Sequence, residues 1–264
     1  VIIRKTPEEI EQVGAAGRVL ARTLAMLKRK ARPGVTTGDL DEAAERFIRS
    51  QGGEPAFLGY RGFPGSICAS PNSMVVHGIP GDYKLSRGDI LSIDVGVILD
   101  GWVADAAITV GIGNVTPVAQ RLLTTTREAL FEGVEQCRAG NRLGDVSYAI
   151  QQRVEADGFS VIRALVGHGI GRDMHEDPQI PNFGNPGTGP LLGEGMVLAI
   201  EPMVNVGAPP IRVGEDNWSV YSQDGSLAAH FEHTVAITAD GPRIMTPWHL
   251  EDAMKGAPAT AGAA

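Results

Sequence analysis

Four acidic residues lie in runs that otherwise read as buried strands. Asp94 sits in Ile90-Leu91-Ser92-Ile93-Asp94-Val95-Gly96-Val97-Ile98, and Asp105 in the return run 102–110. Glu201 sits in the run 196–204, and Glu232 near the start of 231–238. A carboxylate in the middle of an apolar strand is costly to bury unless it is paired or bound to a metal. For any single acid an exposed strand face is the alternative; for all four together, convergence is the better reading. Asp100-Gly101 is a two-residue hairpin turn. It sets Leu99 opposite Trp102 and Asp94 opposite Ala107, with Asp105 one diagonal away on the same face. If a second hairpin, 196–204 with 231–238, packs against the first, Glu201 and Glu232 arrive from the other side. Two divalent cations would neutralise the four charges. Oxygen-rich sites with one imidazole suit Mn, Fe, Co or Zn. Such a pair is a hydrolytic arrangement, because a bound water falls to a pKa of about 7.

The imidazole should come from Val166-Gly167-His168-Gly169-Ile170-Gly171-Arg172-Asp173-Met174-His175-Glu176. Glycines on both sides of His168 let the backbone approach a cluster closely. The segment is not the helical two-histidine zinc site. One of His168 and His175 would bind metal and the other face substrate; the spacing does not say which. His77, in Val75-Val76-His77-Gly78-Ile79-Pro80, sits on a turn. His230, His233 and His249 read as structural, or as supports for the site.

The elements that must carry these residues form a repeat. Leu85-x-x-Gly88-x-x-Leu91-x-Ile93-Asp94 aligns without gaps on Leu192-x-x-Gly195-x-x-Leu198-x-Ile200-Glu201. The return strands answer each other more loosely. Gly and Leu are common enough for chance to compete, but the cost of burying the acids favours a duplicated unit. Each copy would be a helix pair plus a hairpin carrying two acids. The first helix starts at Thr6-Pro7-Glu8-Glu9 and closes on Lys28-Arg29-Lys30, a basic helix end rather than a binding patch. The others span about 38–51, 117–137 and 143–157. After Trp248 the chain is rich in Ala, Gly and Pro, and 251–264 reads as a disordered tail behind one catalytic domain over 1–250.

Composition narrows the function classes. The 264 residues carry 23 Lys+Arg against 31 Asp+Glu, a net charge of -8. That sign disfavours a nucleic-acid partner. The mean hydropathy of -0.02 and the lack of a long uncharged apolar run argue against a membrane partner. The first residues do not read as a secretory signal. Two cysteines, Cys68 and Cys137, make no disulfide framework. A cytoplasmic protein is expected.

Taken together, Val76-His77-Gly78-Ile79-Pro80, Ile93-Asp94-Val95-Gly96, Gly167-His168-Gly169-Ile170-Gly171, Ala199-Ile200-Glu201-Pro202-Met203 and Phe231-Glu232-His233-Thr234 resemble the type I methionine aminopeptidases, in the family's order. The resemblance runs from about residue 3 to Trp248. It implies the α/β pita-bread fold, a pseudo-two-fold duplicated unit around a dinuclear metal site. It implies that Asp94 chelates one ion, that Asp105 and Glu232 bridge both, and that His168 and Glu201 complete the other. Glu201 would also shuttle the proton of the metal-bridging hydroxide. His175 would bond the scissile carbonyl and His77 the leaving amide. Tyr60, Phe63, Cys68, Met174 and Trp218 would line the methionine side-chain pocket. An apolar, sulfur-tolerant wall suits a thioether. Cys68 is then a wall rather than a nucleophile.

The implied substrates are peptides and nascent chains with N-terminal methionine, met at the ribosome, with a small second residue preferred and the enzyme a monomer. Glu201 and Glu232 are too close in sequence for the helical insertion of type II enzymes, and no Cys/His zinc-finger extension precedes Ile3, so a bacterial form is expected. Asp105-Ala106 departs from the commoner Asp-Thr or Asp-Ser, which removes a hydroxyl beside the metal and leaves its affinity less finely tuned. Met174 stands where bulkier aromatics are common and Arg61 where His is, which could shift the preference beyond the first residue. A proline-directed peptidase on the same scaffold is the nearest rival; Ser66-Ile67-Cys68-Ala69-Ser70 and Asn72 through His77-Gly78 argue against it. A metal-free binding module is the rival of another class, and the full set of ligand types argues against that.

Overall fold

Residues 1–250 are described by the computed structural model; the tail expected at 251–264 lies outside the described residues. Helix α1 (Pro7–Lys30) begins as its first residues require. Thr6 and Glu9 exchange side chain–backbone bonds in a capping box, Pro7 is the first helical residue, and the last turn is basic. Ile10, Val13, Val19, Leu20, Leu24 and Leu27 are all buried. Helix α2 (Thr37–Ser50) starts on a second capping box, Thr36 with Asp39, one residue ahead of expectation. Helices α3 (Pro117–Glu135) and α4 (Leu143–Ala156) form the other pair. None of the described helices is long and apolar enough to cross a membrane.

The first hairpin has the expected register. Strand Ile90–Leu99 pairs with Trp102–Gly111, with Leu99 opposite Trp102, Asp94 opposite Ala107 and Asp105 opposite Gly96. Asp100 and Gly101 adopt φ of 51° and 75°, the left-handed pair that matches the twist of the flanking strands. Strand Cys68–Pro71 adds to the sheet with Cys68 beside Asp94.

The second hairpin departs from expectation. The runs 196–204 and 231–238 are not continuous strands. They break into Val197–Ile200 and Met203–Asn205, and into Ala228–His230 and His233–Thr238. The breaks fall at Glu201-Pro202 and Phe231-Glu232. Pro202 has no N–H for a ladder, and the Glu232 N–H donates to the Ala107 carbonyl of the first hairpin at 2.9 Å. Register survives the break, since Ile200 faces His233 and Met203 faces His230. Glu201 is therefore level with Glu232, whereas Asp94 and Asp105 are staggered.

The duplication shows in the backbone. Thr37 and Gly38 N–H groups donate to the Tyr83 and Gly81 carbonyls at 3.0 and 2.8 Å; Leu143 and Gly144 donate to Pro190 and Thr188 at 3.0 and 2.9 Å. Bridges join Thr36 to Lys84 and Arg142 to Leu191. Gly88 and Gly195 both hold positive φ, 96° and 85°. Two threonines staple the halves. Thr234 Oγ1 accepts from the Asp105 N–H at 3.0 Å and donates to the Asp105 carbonyl at 2.7 Å. Thr109 does the same for His230 at 2.9 and 2.8 Å. One apolar cluster runs from α1 through both hairpins to α4.

Gly17, inside α1, tests how firmly this packing is fixed. Alanine would gain about 1 kcal/mol of helix propensity there. A Cβ, however, would run into the carbonyl of Met245. Backbone cannot swing aside as a side-chain tip can, so the clash wins. Gly17→Ala should destabilise by about 1–3 kcal/mol, read as a lower melting temperature. A raised value would show that α1 slides freely over the 245 segment.

Candidate metal centre

Each half contributes acids to one buried place. Asp94 and Asp105 come from the regular ladder of the first hairpin, Glu201 and Glu232 from the breaks of the second. The strand Val166–Gly169 brings His168 alongside Ala199. Its glycines permit this approach: a Cβ on Gly167 would strike the Ala199 carbonyl and one on Gly169 the Asp177 carbonyl. Ligand atoms of Asp105, His168 and Glu232 lie within 4.8 Å of one another. His168 Nε2 stands 3.6 Å from Glu201 Oε1 and 3.9 Å from Asp105 Oδ2.

Electrostatics are what a crowded dry site imposes. Burial pushes Asp94, Asp105, Glu201 and Glu232 above the usual carboxylate range. Neighbouring charge adds to it: Asp94 and Glu201 act on Asp105, Asp94 acts on Glu201, and Asp105 leads the group acting on Glu232. Burial, then His175, lowers His168 to about 4, so its imidazole is neutral. His168 Nδ1–H donates to the Gly169 carbonyl at 2.9 Å, the only role open to a nitrogen facing a carbonyl. Nε2 thus turns a lone pair toward the carboxylates.

These residues fit divalent metal. A lone pair facing carboxylates is repulsive, and a cation between them reverses the sign. Buried oxygens of Asp94, Asp105 and Glu232 also have no hydrogen-bond partner from the protein. Four carboxylates and an imidazole are the donor chemistry that borderline divalent ions accept.

All twelve residues singled out in the sequence line one cavity of about 210 Å³. At its base are Asp94, Asp105, His168, Glu201 and Glu232. Tyr60, Phe63, Cys68, Met174 and Trp218 supply walls. Phe63 meets the Trp218 ring edge-on at 5.1 Å. Burial pushes the Cys68 thiol well up, so it is no ready nucleophile. The His175 ring is tilted 42° to that of His168 at 4.2 Å between centroids, and its Nδ1 lies 2.8 Å from the Tyr60 hydroxyl. His77 stands on the rim with a left-handed φ of 60°. Burial lowers His77, then His175; for His175 burial leads and Arg61 adds.

Three features were not legible beforehand. Phe57 is a wall, in the space that Gly96 leaves between it and Met174. Tyr60 is a partner of His175 as well as a wall. His230 belongs to the cavity, with Nε2 3.7 Å from Glu201 and 3.8 Å from Glu232. A signal for it existed: it precedes Glu232 by two residues, the period that returns a strand to the same face.

Residues 11–239 match metallopeptidase family M24. The chain is 53% identical over 246 residues to the methionine aminopeptidase of Clostridium perfringens, spanning 93% of this chain and 99% of that one. It is 51% identical to methionine aminopeptidase 1 of Bacillus subtilis over the same shares. The crystal structure of methionine aminopeptidase from Rickettsia prowazekii superposes with a TM-score of 0.92 at 44% identity, covering 93% of this chain and all 100% of that one. The prolidase from Pyrococcus furiosus, at 23% identity and a TM-score of 0.75 over 92% of this chain and 65% of its own, shares the fold alone.

Proposed function

The chain belongs to metallopeptidase family M24 and, within it, to the methionine aminopeptidases of bacterial type I form, and from that premise we propose how its own residues carry the reaction. The fold is the α/β pita-bread arrangement, and the protein is a metal-dependent hydrolase that removes N-terminal methionine. One observation carries the reading of this site: three buried acids, the partly buried Glu201 and an imidazole lone pair meet in one largely apolar cavity.

In this reading Asp94, Asp105, His168, Glu201 and Glu232 would hold the ions, Asp105 and Glu232 being the acids that come nearest to His168. Two ions of Co, Mn, Fe or Zn are the candidates. Bound there, they would polarise the scissile carbonyl and acidify water toward neutrality. Glu201 takes the proton of the attacking water and returns it to the leaving amine; its raised carboxyl supports such a carrier. A Tyr60 phenol donating to Nδ1 of His175 leaves the ring proton on Nε2, the state needed to bond the carbonyl and its developing charge. His77, on the rim, bonds the leaving amide. The apolar walls take the methionine side chain. Because both halves supply acids to one cavity, residues 1–250 are proposed to act as one catalytic domain. A small second residue, nascent chains met at the ribosome, a monomeric state and a cytoplasmic site complete the proposal, with neither nucleic acid nor membrane as partner.

Reconstituting the protein anaerobically with each metal and assaying Met-Ala-Ser beside Xaa-Pro peptides tests this. Release of methionine, dependent on stoichiometric metal, is expected. Cleavage of only the Xaa-Pro series would move the chain to the proline-directed branch, and metal-free protein with no turnover after reconstitution would favour a binding module. His175→Ala should keep its metal and lose about 10²–10³ in kcat. Loss of the metal instead would mean that His175, not His168, is the ligand.

A further inference from the structure

Outside the cavity, Lys5 and Glu176 form an ion pair whose side chains are only 2% and 4% exposed. Neither residue has a part in the chemistry above. Burying two charges is costly unless further hydrogen bonds fix the geometry. Here they do. The Lys5 backbone N–H donates to the Gly195 carbonyl at 2.7 Å, and its ammonium donates to Glu176 and to the Ile3 carbonyl at 3.3 Å. Glu176 Oε1 accepts from the Arg172 and Asp173 N–H groups at 3.0 and 3.4 Å. The carboxylate therefore closes a ring over 172–176, and Met174 and His175 lie within that ring. Its other end is tied to the first hairpin, where Val103 N–H donates to the Gly171 carbonyl at 2.8 Å. Gly171 has no space for a Cβ, because Lys5 Cε and Glu176 Oε1 already fill it. The hydrogen bond found for the His175 ring is the one to Tyr60. Tyr60 holds one edge of that ring, and the 172–176 turn sets where the backbone that carries it stands.

We propose that the Lys5–Glu176 pair is a positioning device that holds the 172–175 turn so that His175 meets the substrate carbonyl. This rests on the reading of His175 given above. A pair that merely pinned the N-terminal segment would act on stability alone.

The test uses metal-loaded full-length protein and a Met-Ala-Ser assay well below each melting temperature. Lys5→Met and Glu176→Gln are made alone and on His175→Ala. Alone, each should lower kcat by about 10–100-fold with KM and metal content little changed, as a displaced catalytic group does. On His175→Ala, the same changes should cost less than about twofold, because they act through a ring already gone. Equal losses in both backgrounds, a lost metal, or a lower melting temperature with unchanged kcat each overturn the proposal. Hydrogen exchange at Arg172 and Asp173 keeps the test independent of the assigned activity. Glu176→Gln should speed exchange there even if the wild type proved inactive on methionine peptides, and unchanged exchange would count against the device.

Discussion

Asp105→Asn and Glu232→Gln should each lower kcat/KM by about a thousandfold or more and leave the protein unable to retain stoichiometric metal. The expectation follows from geometry. Both carboxylates come within 4.8 Å of His168 through their ligand atoms, and each has a buried oxygen without a protein partner. An amide at either position turns a weaker, neutral donor toward the ions and removes one of the charges that pull them in. Losing several kcal/mol of transition-state stabilisation at about 1.4 kcal/mol per factor of ten gives the stated scale. Stability should move oppositely with and without metal. In metal-free protein the substitution removes a carboxyl that the dry cluster keeps only at the cost of a buried like charge or of a proton the unfolded chain does not carry, so its melting temperature should exceed that of the metal-free parent. With metal in excess the order should reverse. Metal analysis, turnover and two melting curves read all of this. A variant that keeps full metal load and turnover would contradict the site.

Metal-free protein should lose stability as pH rises above about 6.5, and divalent metal should abolish that dependence. Two sets of groups compete. The carboxylates have folded values raised above their unfolded ones. Over the interval between those values the native state holds protons that the unfolded chain has released, so stability falls with rising pH. The buried histidines act the other way. His168 is lowered to about 4 and His230 to about 3, so stability is lost as pH falls below the ordinary imidazole value. Below about 6.5 the two sets oppose each other; above it the imidazoles are neutral in both states and the carboxylates respond alone until the raised thiols of Cys68 and Cys137 join them, in the same direction, at about pH 8 and above. Binding metal to the folded form alone adds about 2.7 kcal/mol at a hundredfold excess over Kd. At roughly 2–4 °C per kcal/mol, that raises the melting temperature by about 5–10 °C. Melting curves from about pH 6.5 to 8, below the range where the buried thiols contribute, with and without metal decide it. A flat curve for confirmed metal-free protein would mean that the acids are not held together in a dry site.

The first hairpin was legible residue by residue, because a two-residue Asp-Gly turn sets the pairing of every residue behind it. Asp94 opposite Ala107 is the result. The start and end of α1 were legible for a similar reason: Thr6, Pro7 and the basic last turn act within four residues of the backbone groups they satisfy. The second hairpin was half legible. Its two runs could be placed from the repeat, but neither their register, which differs from that of the first hairpin, nor their break, since the break depends on a hydrogen bond from Glu232 to a strand more than a hundred residues away. Tyr60 beside His175 and Lys5 against Glu176 are likewise contacts between distant segments, and no local pattern encodes them.

By itself the amino-acid order determined which groups are present, their alternation along strands and the cost of leaving four acids in apolar runs. Those are short-range properties of backbone geometry and solvation. Only the tertiary structure decided that Glu201 and Glu232 lie level while Asp94 and Asp105 are staggered, that the His168 lone pair faces them, and that His230 joins the cavity. Those outcomes depend on how two halves dock, and docking is set by the fit of surfaces brought together from all along the chain.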